Sequence, residues 1–198
     1  MFPLRTITRR SWSLTEFLAD ERPDGRRRAD KVRWNVHAIL CPRSLFRAVK
    51  TNEEFSRPGV YILSSDYEEE RPFPRIIYIG EGDPTRPRLE QHDRKKEFWT
   101  SLILFTAKDT DKDKLNKAHV QYLESRLVWL AKKVKRCVVT NGNDPQLPTL
   151  ADAETAAMEV FLKEMLHICD LLDLTAFDVD SPPLLPLKDV SSTPQKLR

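Results

Sequence analysis

A chain of 198 residues, 40% hydrophobic and 32% charged, has the size and composition of one soluble globular domain with appendages. Its longest apolar runs, such as Leu102-Ile103-Leu104-Phe105, are far too short to cross a bilayer, and no apolar core follows Arg5, Arg9 and Arg10 to make a secretory signal. The net charge of +3 says little about partners, and Cys41, Cys137 and Cys169 lack the spacing of a metal site or disulfide framework, so a reducing, cytoplasmic setting is expected.

In chain order, residues 11–18 read as a first strand, and Asp24-Gly25 as a turn before the basic Arg26-Arg27-Arg28. Val32, Trp34, Val36, Ala38 and Leu40 alternate with polar residues, the period of a half-buried strand. A short helix after Pro42 would bury Leu45, Phe46 and Val49. Arg57-Pro58-Gly59 stops it and launches the strand 60–63, and the acidic loop 65–74 separates that strand from a second at 76–79. The two form a hairpin with a long loop.

A helix follows from about residue 83 to Lys96, with prolines tolerated in its first turn. Residues 99–106 read as a third strand. A long helix over 113–134 has the apolar stripe Leu115, Val120, Leu123, Leu127, Leu130 and Val134. Residues 136–140 form a short strand and Asn141-Gly142-Asn143 a loop. A last helix, 152–172, buries Met158, Phe161, Leu162, Met165, Cys169 and Leu172. From Asp178 onward the Ser, Pro and Lys content predicts a disordered tail.

Five features recur in one order: Gly59-Val60-Tyr61, Tyr78-Ile79-Gly80, Arg88 ten residues after Tyr78, His92 one helical turn later, and Glu124 inside the apolar stripe of the long helix. A carboxylate in that stripe calls for a partner or a metal. With the loop residue Asn141, this order resembles the GIY-YIG nuclease superfamily, which includes phage homing endonucleases, some restriction enzymes and the incision subunit of bacterial nucleotide-excision repair. The stretches Arg94-Lys95-Lys96-Glu97-Phe98-Trp99 and Tyr122-Leu123-Glu124-Ser125-Arg126-Leu127 resemble a bacterial branch of that superfamily. Val60 stands where the first motif has isoleucine, and the acidic loop lengthens the gap between the tyrosines, which suits recognition or autoinhibition.

The resemblance implies an α/β fold: a small, mainly antiparallel sheet flanked by helices, with an N-terminal strand extension and a C-terminal helix. It divides the chain into an extension packed on the core (1–56), a nuclease core (57–145), a packing helix (146–177) and a tail (178–198). It further implies an endonuclease hydrolysing DNA phosphodiesters, RNA being left open, with Glu124 holding Mg²⁺ or Mn²⁺. Tyr61 is the expected general base and Tyr78 its hydrogen-bonding partner, although the sequence does not separate them. Arg88 offers forked donors to phosphoryl oxygens, and His92 a phosphate contact or a proton path. Gly80, Lys95, Lys96 and Asn141 are the expected substrate contacts, while His37, His119 and His167 show no ligand spacing. The alternative is a catalytically idle nucleic-acid-binding or protein-interaction module within a larger complex.

Overall fold

The structure, a computed structural model, describes residues 36–65, 75–107 and 114–178 in full, and residues 4–9, 12–18 and 27–30 by their strand pairing. It is a mixed α/β fold built on one sheet, with strand order β1-β2-β3-β4-β7-β5-β6-β8. The strands are β1 (Leu4–Arg9), β2 (Trp12–Leu18), β3 (Arg27–Asp30), β4 (Val36–Pro42), β5 (Gly59–Ser64), β6 (Ile76–Gly82), β7 (Ser101–Ala107) and β8 (Val138–Val139). Every pairing is antiparallel except the short parallel one between β6 and β8. The helices are α1 (Arg43–Val49), α2 (Arg86–Lys95), α3 (Lys117–Val134) and α4 (Asp152–Leu171).

Alternation along the central strands divides the interior into two halves. Val60 and Ile62 of β5, Ile77 and Ile79 of β6, and Ile103 and Phe105 of β7 point toward α3 and α4, joining Val120, Leu123, Leu127, Phe161 and Met165. The intervening residues Tyr61, Leu63, Leu102 and Leu104 point the other way, against Phe46, Phe55, Leu89 and Trp99. Central strands covered on both faces read as continuous β-branched and apolar runs, which is why 60–63, 76–79 and 102–105 were legible. Strand β6 lies between α2 on one face and α3 on the other, and this position determines where the functional side chains meet.

The outline expected from the sequence holds for the hairpin, the third strand and the four helices. Strands β1 and β3 were not anticipated. β4 is hydrogen-bonded to β7 from Val36↔Ala107 to Pro42↔Ser101, so this part of the N-terminal segment lies within the sheet. Strand β7 starts at Ser101, and Trp99 is a buried residue ahead of it. Helix α3 begins at Lys117 because the Asn116 side chain accepts a hydrogen bond from the His119 amide at 2.9 Å, leaving the buried Leu115 outside the helix. In α4, Ile168 is buried where the stripe named Leu172, which is half-buried. The acidic loop, apart from Ser65, and the tail from 179 onward lie outside the described residues. Among the described residues no helix is long and apolar enough to cross a membrane.

Phe46 packs edge-on against Phe55 and Trp99 at centroid separations of 5.8 and 6.1 Å, filling the space between α1 and the sheet. Phe46→Ala is expected to destabilise the protein by about 3–5 kcal/mol in chemical denaturation, and a loss below about 1 kcal/mol would show that this core collapses around the void.

Candidate functional site

The register of the β5–β6 hairpin sets Tyr61 directly opposite Gly80 and Leu63 opposite Tyr78. Both phenols therefore stand on the α2 face of the sheet, as diagonal neighbours. The Tyr61 ring lies across Gly80 so closely that a Cβ there would come within 2.5 Å of the ring's Cζ and hydroxyl oxygen. Gly80 thus makes room for a phenol; its lack of a side chain is spent on packing. The two tyrosine rings are 6.4 Å apart, with Tyr61 only 1% exposed and Tyr78 half-buried.

Helix α2 brings up the next groups. Its buried side carries Leu89 and His92, and the imidazole meets Tyr78 edge-on at 4.8 Å and lies 5.9 Å from Tyr61. His92 is 8% exposed and its Nε2 has no hydrogen-bond partner. Burial, with the cations of Lys96, Arg88 and Lys95 around it, lowers its pKa to about 4, so the ring is neutral near pH 7. Arg88 is exposed at one side of this cluster, and its charge acts on both phenols. The Lys96 ammonium sits 4.1 Å above the centre of the Tyr78 ring, a cation–π contact that fixes the end of α2 over the phenol.

Glu124 comes from α3, in the other helical layer. Among the described residues its carboxylate makes no hydrogen bond or ion pair: Lys117 is bonded to Glu81, and Lys132 to Asp144. Its charge nevertheless acts on both tyrosines and is felt by Arg88, so the carboxylate lies within electrostatic range of the α2-face cluster. Burial, and then the neighbouring charge of Glu81, push its pKa up to about 7, with Arg88 and Lys117 pulling the other way. Burial is also the main cause of the raised phenol pKa values, most strongly at Tyr61, and the carboxylates raise them further while Arg88 lowers them. Both tyrosines are therefore protonated at neutral pH in the metal-free protein.

Glu81 was missed by sequence reasoning. It is 7% exposed and bound through both oxygens, at 2.5 and 2.7 Å, to the Lys117 ammonium on the first turn of α3. Alternation along β6 supplies the signal that could have found it: with Tyr78 and Gly80 on the α2 face, Glu81 must point inward toward α3, opposite Val60. Lys117 lies two helical turns before Glu124, so this ion pair fixes the rotation of α3 that aims Glu124.

Asn141, an expected substrate contact, is bonded to the backbone of β6. Its Oδ1 accepts from the Ile79 amide at 3.1 Å and its Nδ2 donates to the Ile79 carbonyl at 2.7 Å, so the amide imitates one more residue of the β8 pairing. Asp93 and Glu90 pair with Arg43, Arg47 and Lys50 of α1, which leaves Arg88 without an ion pair among the described residues. Lys95 is exposed at the end of α2. Glu124 is half-buried and without a hydrogen bond or ion pair among the described residues, so its carboxylate could serve as a ligand. Among the described residues no group of three or more His, Cys, Asp or Glu side chains could hold a metal ion. Comparison with models of protein families, with curated proteins and with solved structures finds no match to this chain.

Asn141→Ala removes two hydrogen bonds to β6 and is expected to cost about 1–3 kcal/mol in chemical denaturation, and an unchanged stability would show that the amide does not hold the β6 edge. Glu124 imposes a pH dependence of its own. Its folded pKa of about 7 exceeds the ordinary 4.5, so the unfolded chain loses its proton first and stability falls as pH rises between those values. His92, lowered from 6.5 to about 4, acts in the opposite sense, stabilising above that window and losing the contribution as pH falls. Glu124→Gln should therefore raise the melting temperature in EDTA near pH 8, with the gain vanishing toward pH 4.5. A gain that is the same at every pH would mean that the carboxylate is not held in this raised state.

Proposed function

We propose that this chain is a metal-dependent endonuclease that hydrolyses phosphodiester bonds in DNA, with Mg²⁺ or Mn²⁺ held by Glu124. One observation carries the reading. Two phenols from adjacent strands, a neutral imidazole, and a guanidinium and a carboxylate without ion pairs among the described residues act on one another at a single place, the carboxylate coming from the opposite helical layer. An ordinary structural cluster would have used these groups to satisfy each other.

The roles follow from the chemistry of each group. Hydrolysis joins a water oxygen to phosphorus as the bond to the leaving oxygen breaks, and negative charge grows on the phosphoryl oxygens. Arg88 donates to those oxygens with a fork that matches their geometry. Glu124 would hold a divalent cation, which would supply further positive charge against the charge that develops on the phosphoryl group. A phenolate, the ionised form of one tyrosine, would receive the proton of the attacking water, and the leaving oxygen would take a proton from solvent. Tyr61, the expected general base, is only 1% exposed, so we assign the base to Tyr78, the half-buried phenol, with Tyr61 packed beside it at a ring separation of 6.4 Å. Burial is the main cause of the raised phenol pKa values, and compensating the charge of Glu124 would remove a further one, leaving Arg88 to favour the phenolate against burial. His92, neutral near pH 7, offers a single hydrogen bond without adding charge.

Cleavage of single-stranded, duplex and branched DNA, with RNA alongside, tests the proposal directly. The wild type is expected to cut at least one DNA form with Mg²⁺ or Mn²⁺ and none in EDTA. Arg88→Ala and Glu124→Gln should each lose about 10²–10³-fold in rate while melting as folded proteins. A wild type that leaves every form intact overturns the proposal, and DNA binding in EDTA with no cutting under any condition would mark an idle binding module.

A further inference from the structure

The segment ahead of the β5–β6 hairpin reaches toward the candidate site through one side chain. Arg43 is the first residue of α1, and its backbone amide donates to the Thr100 carbonyl at 2.7 Å, just before β7. Its side chain turns toward the end of α2. Nε donates to the Asp93 carboxylate at 3.2 Å and Nη2 to the Asp93 carbonyl at 2.8 Å. Nη1 donates to the carbonyls of Glu97 and Trp99 at 3.0 and 3.3 Å. The guanidinium also lies 4.7 Å from the centre of the buried Trp99 ring. A flat, rigid fork of N–H groups can serve all of these acceptors from one plane, which a lysine ammonium cannot do.

The acceptors bracket Lys96. The last carbonyls of a helix have no partner within it, and residues 96–99, between α2 and β7, belong to neither a helix nor a strand. The Lys96 amide closes the last turn on the His92 carbonyl at 2.9 Å, while Arg43 holds Asp93 on one side of Lys96 and Glu97 on the other. The ammonium over the Tyr78 ring and the imidazole against its edge are thus carried by backbone that Arg43 pins. Arg47 adds little to this, since it bonds the second Asp93 oxygen from a side chain that is 80% exposed. We infer that Arg43 is a positioning residue for the candidate site, holding the end of α2 so that Lys96 and His92 meet Tyr78. It acts through Asp93, Glu97 and Trp99 and touches no reacting group. The inference rests on the endonuclease reading only for its effect on cutting. It makes the segment before the hairpin part of the working unit, since the end of α2 is held from there.

Two readouts on the full chain test this. The first is the proton shift of the Lys96 methylenes beside the ammonium, which the Tyr78 ring face moves upfield; Lys96→Arg identifies the signal. Arg43→Lys, which keeps the charge and loses the fork, is expected to return the signal to the position of an exposed lysine. Arg47→Ala should leave it in place. Melting curves and unchanged Ile79 and Leu123 methyl signals confirm the fold of both, and Asp93→Asn, a milder change, should move the Lys96 signal the same way by less. The second readout is the rate of DNA cutting at saturating substrate, expected to fall about 10–10²-fold in Arg43→Lys and to be unchanged in Arg47→Ala. A wild-type signal already at the exposed position overturns the inference, as does an Arg43→Lys signal that stays upfield. Should Arg43→Lys fail to fold, an unmoved signal in Asp93→Asn overturns it. A displaced signal with cutting unaffected overturns it as well. A wild type that cuts no DNA defeats the endonuclease reading, and the Lys96 signal alone then decides whether Arg43 holds the end of α2.

Discussion

The pairing of Tyr61 with Gly80 determines what the candidate site can be. Strand side chains alternate, so a slip of one residue between β5 and β6 would send Tyr61 and Tyr78 to opposite faces and break the phenol pair. Three things resist such a slip. The apolar residues Val60, Ile62, Ile77 and Ile79 must face α3, the Tyr61 ring needs a position without a Cβ beneath it, and Asn141 grips the backbone of Ile79. The register is thus specified by burial on one face, by steric room on the other and by hydrogen bonds at the edge. The helices then approach a strand whose side chains are already sorted.

Electrostatically the site is kept out of balance. The cations and acids that serve the fold are matched: Asp93 holds two arginines, Glu81 holds Lys117, and Glu159 holds Arg126. Among the described residues Glu124 has no partner of its own; burial, and then the like charge of Glu81, raise its proton affinity, and its charge adds to the burial that opposes ionisation of the phenols. Leaving a half-buried carboxylate uncompensated costs stability. The surrounding fold keeps such a group because α3 is anchored at the other points, through the Asn116 cap, the Glu81–Lys117 pair and the apolar face from Val120 to Ala131.

Residue patterns made the core of the fold legible where burial is two-sided or helical period is strong. The hairpin strands, β7 and helices α3 and α4 are long apolar or periodic segments, and their type is written locally. Strands β1 and β3 were not legible because Leu4–Arg9 and Arg27–Asp30 are mostly polar, and what defines them is pairing with neighbours. At the site, Tyr61, Tyr78, Arg88, His92 and Glu124 could be singled out from order and spacing, but burial could not. That Tyr61 is the more enclosed phenol and that His92 is held neutral are properties of packing. Glu81 escaped notice because a lone acid between two glycines looks like a loop residue until the strand is seen to continue through Gly82. Asn141 read as a loop residue, and only the three-dimensional arrangement reveals that its amide extends a sheet.

The position of β4 in the sheet has a bearing on how the polypeptide acquires its shape. This strand pairs with β7, which is made only after β5, β6 and α2, so a growing chain must carry Val36, Ala38, Ile39 and Cys41 for some time without the neighbour that later covers them. Non-local pairing of this kind postpones the gain in contacts until a large loop has closed, and it slows folding relative to a protein of local hairpins. During synthesis the unsealed β4 edge is the segment most in need of shielding, and a ribosome-bound chain ending before Ala107 would be its most aggregation-prone form.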